Sequence, residues 1–282
     1  MRKMLVQLLS VLIVCLAFNP IMAFEFHSSR GIGIGKAVVL SEMSPSGLLL
    51  VPSSADSILS GAVELCILRQ YELKDLDEAL VSVGYRFSRF TWAAGFSQFG
   101  HSELYTEKTF KLATAYNFGN ASVGNAGVGV TWSHLSIDFG GGYSGLSSST
   151  IGASLSYKRQ RFLFALAADN LTSPVMKSGS PEINPQYSVF VELLGQGSYS
   201  IIAKSTFEDK QKPQFSIGQK IDVSSKASLM WSLTSEPLTY AGGLEVNIIH
   251  GLVGYYTSYH PTLGFTHCMS LSYQWWKNTN IE

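Results

Sequence analysis

Charged residues are scarce in this chain and balanced in sign. The 20 Lys and Arg residues match the 20 Asp and Glu residues, and together they make up 14% of the sequence, compared with about 25% in ordinary globular domains. A net charge of zero removes the electrostatic basis for binding nucleic acid, which depends on clustered cations. We therefore expect no nucleic-acid partner.

Long apolar runs are missing after residue 23. Before that point Arg2 and Lys3 precede a predominantly apolar run, Met4–Phe18, and a small-residue site ends at Ala23. This order is typical of a secretory signal peptide. The 15 residues of the run fall short of the roughly 20 that a spanning helix needs, which argues against an uncleaved anchor. We predict a signal peptide at 1–23.

Fourteen stretches downstream of residue 60 alternate apolar and polar residues. Side chains on a strand point alternately to the two faces of a sheet, so residues of one parity share one environment. In one stretch Val81, Val83 and Tyr85 share a parity, while Ser82 and Gly84 take the other. The pattern predicts an all-β fold in which each strand has one apolar and one polar face.

The predicted strands number fourteen, an even count that lets a closed barrel keep both chain ends on one side. They cover 61–70, 78–87, 90–98, 109–118, 124–137, 149–158, 161–168, 186–194, 198–207, 213–222, 226–235, 238–248, 251–258 and 265–275. Short connections alternate with mostly longer ones along this map, as outer-membrane barrels require. We therefore expect an antiparallel transmembrane barrel over 61–276.

The placement of charges and aromatic residues favours a membrane barrel over a soluble sandwich. The charged residues of the predicted strands fall on the polar parity: Arg86, Lys111, Glu192, Lys204, Lys220 and Glu245. A lipid-facing charge at the bilayer midplane costs about 2 to 4 kcal/mol, whereas one facing the lumen costs little. Aromatic residues at strand ends form candidate interface girdles, chiefly Tyr85, Phe87, Trp92, Tyr116, Phe118, Tyr273 and Trp275.

The segment between the signal and the first strand, 24–60, has no strand pattern and needs a place in the fold. A barrel of fourteen strands is wider than one whose interior side chains alone can fill. We therefore predict that 24–60 forms a plug or hatch in the lumen, and that 277–282 is a short periplasmic tail. The candidate hatch residues are Arg30, Gly31, Gly33, Gly35 and Pro52.

Cysteine is rare, with three residues in the chain, of which Cys15 lies in the predicted signal. Cys66 and Cys268 fall in the first and last predicted strands, which closure makes neighbours, and both lie on the lumen parity. A bond between them requires Cα atoms within about 7 Å, and the register across the seam cannot be read from the sequence. A disulfide and two buried thiols both remain open.

Catalytic, cofactor and metal sites find no support in the sequence. The Gly31–Gly35 repeat lacks the spacing and the strand-loop-helix context of a nucleotide loop. The six histidines form no Ser-His-acid arrangement on the strand map, and His260 and His267 have no acidic or Cys ligand at a typical spacing. We expect no enzymatic activity and no cofactor.

Several short phrases resemble the PorV/PorQ group of outer-membrane proteins, and PorQ-like members most of all. They are Gly127-Val128-Gly129-Val130, Ala168-Asp169-Asn170-Leu171-Thr172-Ser173-Pro174 and Tyr256-Thr257-Ser258-Tyr259-His260. This group is similar to the FadL-type fatty-acid transporters. The resemblance implies a fourteen-stranded barrel with an N-terminal hatch. This chain departs from the group's pattern in the hatch, where it has Val51-Pro52-Ser53 instead of Asn-Pro-Ala.

The resemblance implies a bacterial outer-membrane location with periplasmic termini, contact with membrane lipid, and a role in type IX protein secretion or in attaching exported cargo to the cell surface. Secretion-system proteins or cargo would then be partners. A FadL-like passive transporter of hydrophobic small molecules is the alternative, and a soluble secreted β-sandwich is a third reading. Of the three, we predict the role in secretion or cargo attachment.

Overall fold

The computed structural model describes residues 24–57, 61–101, 105–120, 124–141, 145–176, 182–209 and 211–275. The predicted signal, residues 58–60 of the predicted hatch, and the predicted tail lie outside these ranges. The strands are β1 Gly61–Arg69, β2 Asp77–Phe87, β3 Phe90–His101, β4 Tyr105–Asn120, β5 Gly124–Phe139, β6 Leu146–Arg159, β7 Phe162–Asp169, β8 Gln186–Leu194, β9 Tyr199–Glu208, β10 Gln214–Ser224, β11 Ala227–Thr234, β12 Thr239–Ile248, β13 Gly251–His260 and β14 Gly264–Trp275.

The strands form one closed antiparallel barrel in which each strand pairs with its neighbours in sequence. β1 closes the barrel by pairing with β14, with Gly61 opposite Trp275 and Arg69 opposite His267. Within the described residues the ladders show one register shift, between Asp222 and Ser224. The predicted all-β, fourteen-stranded, closed barrel is therefore confirmed.

The connections differ in length at the two ends of the barrel. We call the end where β1 begins and β14 stops the terminal end, and the opposite one the loop end. Turns at the terminal end are short, as between Phe87 and Phe90. The longest connection, between Asp169 and Gln186, lies at the loop end. Within it, Val175 and Glu182 form an isolated antiparallel β-bridge.

Several strands extend further than the sequence predicted. β4 was expected to begin at residue 109 but begins at Tyr105, where it pairs with Phe139 of β5. Glu107 and Lys108 interrupt the apolar pattern there, so hydropathy places the start too late. The backbone ladder does not depend on side-chain polarity, and it continues past the apolar band.

The two faces of the barrel wall differ as the parity predicts. Large apolar side chains such as Val83, Trp92 and Leu112 are exposed on the outer face. Ser, Thr and Gly dominate the inner face, together with buried charged residues such as Lys111 and Glu192. The apolar surface is therefore outside and the polar surface inside, the reverse of a soluble globular protein.

The apolar core of the molecule lies between the N-terminal segment, residues 24–57, and inward-facing side chains of the strands, such as Leu68, Phe190 and Ile202. Helix α1 covers Ser29–Gly33. Helix α2 covers Pro45–Leu48, with Ser44 accepting a hydrogen bond from the Gly47 N–H as its N-cap and proline at its first position. A 3-10 helix follows at Pro52–Ser57. None of the helices in the described ranges is long and apolar enough to cross a membrane.

Candidate functional site

The N-terminal segment lies inside the barrel, because its contacts reach inward-facing side chains on strands around the whole circumference. They include Glu64 on β1, Ser154 on β6, Glu192 on β8, Lys220 on β10 and Glu245 on β12. A segment outside a closed barrel could not touch all of these. The lumen and this segment together form the candidate functional site.

Arg30, the second residue of α1, makes the most buried ion pair of the site. Its Nε donates to Glu245 Oε1 at 2.6 Å, and Nη1 donates to the Glu42 carbonyl at 2.7 Å. The Tyr256 hydroxyl donates to the same Glu245 oxygen at 2.7 Å. Burial alone would lower the pKa of Arg30, but Glu245 and Glu42 outweigh that effect and raise it. The guanidinium therefore stays charged at any working pH.

Two further contacts hold the loop after α1. The Ser41 N–H and hydroxyl donate to the two carboxylate oxygens of Glu192 at 2.8 and 2.6 Å. The Lys220 ammonium donates to both oxygens of Glu42 at 2.7 and 2.8 Å. These are charge-assisted hydrogen bonds, which are about twice as strong as neutral ones. The loop is thus fixed to β8 and β10 at once.

A third carboxylate, Glu64 of β1, anchors both short helices. It accepts hydrogen bonds from the Ser29 hydroxyl and from the Ser46 N–H at 3.0 Å, and Ser82 of β2 completes its shell at 3.4 Å. Because Glu64 is buried, these donors replace the water that an exposed carboxylate would have.

A cluster of titratable groups surrounds the start of the segment. The Lys36 ammonium donates to both oxygens of Glu25 at 2.7 Å, and His27 Nε2 lies 3.7 Å from Glu78. Burial opposes ionisation of Glu25, but Lys36 and His27 overcome it and lower its pKa to about 2. Burial lowers the pKa of His27 to about 4, against the opposing effect of Glu25. His27 is therefore neutral at pH 7, and Glu25 and Lys36 are charged.

Two of the three predicted hatch glycines, Gly33 and Gly35, lie against the barrel wall. A Cβ on Gly33 would come within 2.8 Å of the Tyr256 ring, and one on Gly35, whose φ is +68°, within 2.8 Å of Thr234 Oγ1. Gly31 uses its carbonyl to accept from the Ile34 and Lys36 N–H groups. Glycine at 33 and 35 thus permits this approach to the wall.

Pro52 and the 3-10 helix pack against the wall formed by β4 to β6. The ring of Pro52 lies within 2.8 Å of where a Cβ on Gly129 would be. The Ser53 N–H donates to Ser154 Oγ at 2.9 Å, and Ser156 Oγ donates to the Ser53 carbonyl at 2.7 Å. Small inward residues on these strands therefore make room for the end of the segment.

An apolar groove of about 560 Å³ crosses the outer face of β2 to β6. Trp92 and Trp132 are among its bulkiest lining residues, while Ala94, Thr114 and Ala153 leave room between them. The volume falls in the range of about 300 to 1,000 Å³ that is typical of ligand pockets. The sequence prediction missed this groove because it arises from small residues on different strands.

The predicted girdle residues all lie on the outer face near the terminal end, at Tyr85, Phe87, Trp92, Tyr116, Phe118, Tyr273 and Trp275. The Phe90 and Tyr116 rings are 5.0 Å apart there. A second belt lies at the loop end, where the Tyr259 and Phe265 rings are 4.9 Å apart. Aromatic residues therefore mark both ends of the apolar band, as at two membrane interfaces.

Cys66 and Cys268 lie side by side inside the wall. Their sulfur atoms are 3.0 Å apart, both side chains are buried, and both are thiols in this structure. The predicted proximity is therefore present.

Comparison with solved structures relates the architecture to channels. The monoaromatic hydrocarbon channel CymD has a TM-score of 0.65 over 93% of this chain and 100% of its own, at 10% identity. A deletion mutant of the monoaromatic hydrocarbon channel TodX has a TM-score of 0.62 over 89% and 100%, at 10% identity. A Pseudomonas aeruginosa FadL homologue has a TM-score of 0.61 over 90% and 99%, at 9% identity.

The fold is similar to that of a FadL homologue and of two monoaromatic hydrocarbon channels. At these identities the likeness concerns the fold alone, and it bears out the broader part of the predicted resemblance. None of these three structures supports the narrower PorV/PorQ assignment. No protein-family model and no curated protein matches the sequence.

The compared proteins are channels rather than enzymes. Within the described residues no three His, Cys, Asp or Glu side chains are grouped as metal ligands. The polar parity of the strands predicted that their charged residues face the lumen, but it could not identify the partners of those residues, which are Glu25, His27, Ser41 and Glu42. These four residues lie in an irregular segment, and without a strand or helix periodicity the sequence does not predict which way a polar side chain points.

Proposed function

We propose that this chain is an outer-membrane channel for small hydrophobic molecules, closed at rest by its N-terminal segment. The observation that carries the proposal is the extent of the shared architecture, which covers all of CymD and nearly all of this chain. The apolar outer face and the two aromatic belts support insertion in a membrane. We also propose that the terminal end, with both chain ends, faces the periplasm.

The contacts of the N-terminal segment support its role as a plug. They are ion pairs and hydrogen bonds to lumen side chains, such as Arg30 to Glu245 and Ser41 to Glu192. Polar contacts of this kind can be exchanged for water when the segment moves. Each strand of the closed barrel is hydrogen-bonded to both of its neighbours, so the described wall shows no missing strand pairing that would offer a sideways exit. Passage therefore requires displacement of the segment.

Uptake of a hydrophobic fluorescent probe by bacteria that express the protein tests this function. We expect expression to accelerate entry of a naphthalene-type dye, and deletion of 24–57 to accelerate it further. A hydrophilic sugar should enter slowly with the intact chain and faster after the deletion. The substitution Lys212→Ala, in an exposed connection, is the matched control. Unchanged dye entry with a correctly inserted barrel would contradict the proposal.

Participation in type IX secretion or cargo attachment is the second candidate. It rests on the sequence phrases that resemble the PorV/PorQ group, and the structural comparisons favour the transporter instead. The connection at 170–185, which carries Pro174 and Pro185, is where a partner would dock. Co-purification from native membranes distinguishes the two functions, because a transporter would be isolated without secretion components.

A further inference from the structure

The closing seam of the barrel carries a pair of thiols. Cys66 lies on β1 opposite Ser270, and Cys268 lies on β14 opposite Leu68, so the two are diagonal neighbours across the ladder that joins the first strand to the last. Their Sγ atoms are 3.0 Å apart. The bonded distance in a disulfide is about 2.05 Å. The two sulfur atoms would therefore have to approach by about 1 Å to form a disulfide, which small side-chain rotations can provide.

We propose that Cys66 and Cys268 form a disulfide that fastens β1 to β14 across the seam of the barrel. The inference depends on export to an oxidising compartment and not on what the channel carries. Disulfides persist in the periplasm, where exported chains meet thiol oxidases. The third cysteine, Cys15, lies in the predicted signal peptide, so the pair has no competitor in the processed chain.

The oxidant is the disulfide of a periplasmic thiol oxidase. The Cys66 thiol loses its proton, and the thiolate attacks one sulfur of that disulfide and releases the other as a thiolate. The Cys268 thiolate then attacks the Cys66 sulfur of the mixed disulfide and releases the second oxidase thiolate. The chain loses two protons and two electrons, and the oxidase disulfide is reduced to two thiols.

The surroundings of the pair determine when the bond forms. Both side chains are buried, α1 packs against β14, and α2 packs against β1. A protein oxidant cannot reach sulfur atoms beneath these helices in the finished barrel. The bond therefore forms before the N-terminal segment has docked, and it brings the ends of the sheet together early. Once formed, it is shielded from reductants for the same reason.

Thiol trapping in cells that express the full chain tests the proposal. N-ethylmaleimide is added before lysis and is present again while the purified protein is unfolded, because buried free thiols react only after unfolding, and the chain is then analysed by mass spectrometry. We expect unlabelled Cys66 and Cys268, in a cross-linked peptide pair lighter by two hydrogen atoms than the separate peptides. Labelling of both cysteines in the inserted protein would overturn the proposal, whether or not the channel transports its solute.

Single substitutions provide the controls. Cys66→Ser and Cys268→Ser should each leave one labelled thiol and abolish the faster migration of the unfolded, non-reduced chain. A reductant applied to the folded barrel should leave the wild-type bond intact, whereas the same reductant in urea should break it. Identical migration of the reduced and non-reduced unfolded wild-type chain would contradict the bond, even if neither variant inserts.

Discussion

At the scale of single residues, the site consists of lumen charges that are neutralised by one irregular segment. Glu245 illustrates the arrangement. It sits on a strand, yet its partners are Arg30 from α1 and Tyr256 from β13. Removing one member of a buried ion pair costs about 3 to 5 kcal/mol, because the other charge is left buried without compensation.

Replacing Arg30 by Met should therefore undock the segment. The Arg30 side chain is 10% exposed and that of Glu245 is 1% exposed, so the Glu245 carboxylate would lose its ion-pair partner while still buried for as long as the segment stayed docked. We expect trypsin to cleave the folded barrel after Lys36 at least about a hundredfold faster than in the wild type, in line with the cost of a broken buried pair.

The substitution Arg69→Met is the matched control, because Arg69 and Asp77 form a pair whose side chains are 47% and 38% exposed. Exposed pairs contribute about 0 to 1 kcal/mol, so cleavage at Lys36 should stay near the wild-type rate. The double variant Arg30→Met with Glu245→Gln should recover part of the loss. Equal cleavage rates for Arg30→Met and Arg69→Met would show that the Arg30–Glu245 ion pair does not hold the segment in its docked position.

Acid should loosen the segment through His27. As the pH falls below 6.5, its ordinary pKa, the unfolded or undocked histidine takes up a proton, whereas the docked one stays neutral until about pH 4. The stability of docking is therefore full above 6.5 and falls between 6.5 and 4. Glu25, with its pKa lowered from 4.5 to about 2, adds a further loss between those two values.

The measurement is channel conductance against pH in planar bilayers, because an undocked segment opens the lumen. The groups that face His27 are Glu25, Glu78, Lys36 and Lys204, and all are kept in the variant His27→Gln. This variant should lose the rise in conductance between pH 6.5 and 4. His134→Gln, on the outer face, should keep it. A rise that persists in His27→Gln would assign the effect to another group.

At the scale of elements, the segment is positioned by close backbone approach as much as by charge. Gly35 has a φ of +68°, and a Cβ there would lie 2.8 Å from Thr234 Oγ1. Both features disfavour any other residue. The short helices are too brief to be stable alone, so the barrel wall gives the segment its shape.

Gly35→Ala should weaken docking by at least about 1 kcal/mol, from the left-handed backbone and the contact with the wall. We expect trypsin cleavage at Lys36 to rise roughly fivefold or more. Gly197→Ala is the control, because Gly197 has a φ of +110° but nothing within 4 Å of its added Cβ. That variant should strain a turn without changing cleavage at Lys36. An unaltered rate in Gly35→Ala would show that the segment tolerates a shift away from β11.

At the scale of the whole molecule, the outer face decides between a membrane barrel and a soluble one. Val130 is 54% exposed at mid-strand on β5, and Val223 is 63% exposed near the terminal end of β10. In water, a lysine at either position would change the free energy of unfolding by no more than about 0.5 kcal/mol. In a bilayer, lysine at the midplane costs about 2 to 4 kcal/mol, and near an interface about 0 to 1.

Val130→Lys should therefore destabilise the inserted barrel much more than Val223→Lys. Reversible urea unfolding in lipid vesicles measures both, and the difference between the two variants removes any common effect of lysine. We expect a gap of about 1 to 4 kcal/mol. Equal, near-zero effects would favour a soluble barrel and would remove the basis for a channel.

The sequence by itself determined the number of strands, the identity of their two faces and the inward direction of the charges. These follow from a period of two, which every strand repeats independently of its neighbours. The start of β4 was missed because Glu107 and Lys108 break the apolar pattern while the ladder continues. Periodicity therefore located the wall well and the limits of its strands less well.

Only the tertiary structure decided what the lumen charges hold, how far apart the seam cysteines lie, and where the outer groove runs. Each depends on residues that are distant in the chain, such as Arg30 and Glu245, or Cys66 and Cys268, and on a register that hydropathy does not encode. The N-terminal segment has no period of its own, so its path is set by the wall that surrounds it. The two-residue alternation of each strand determined the barrel wall, and closure of the barrel determined which side chains meet in the lumen.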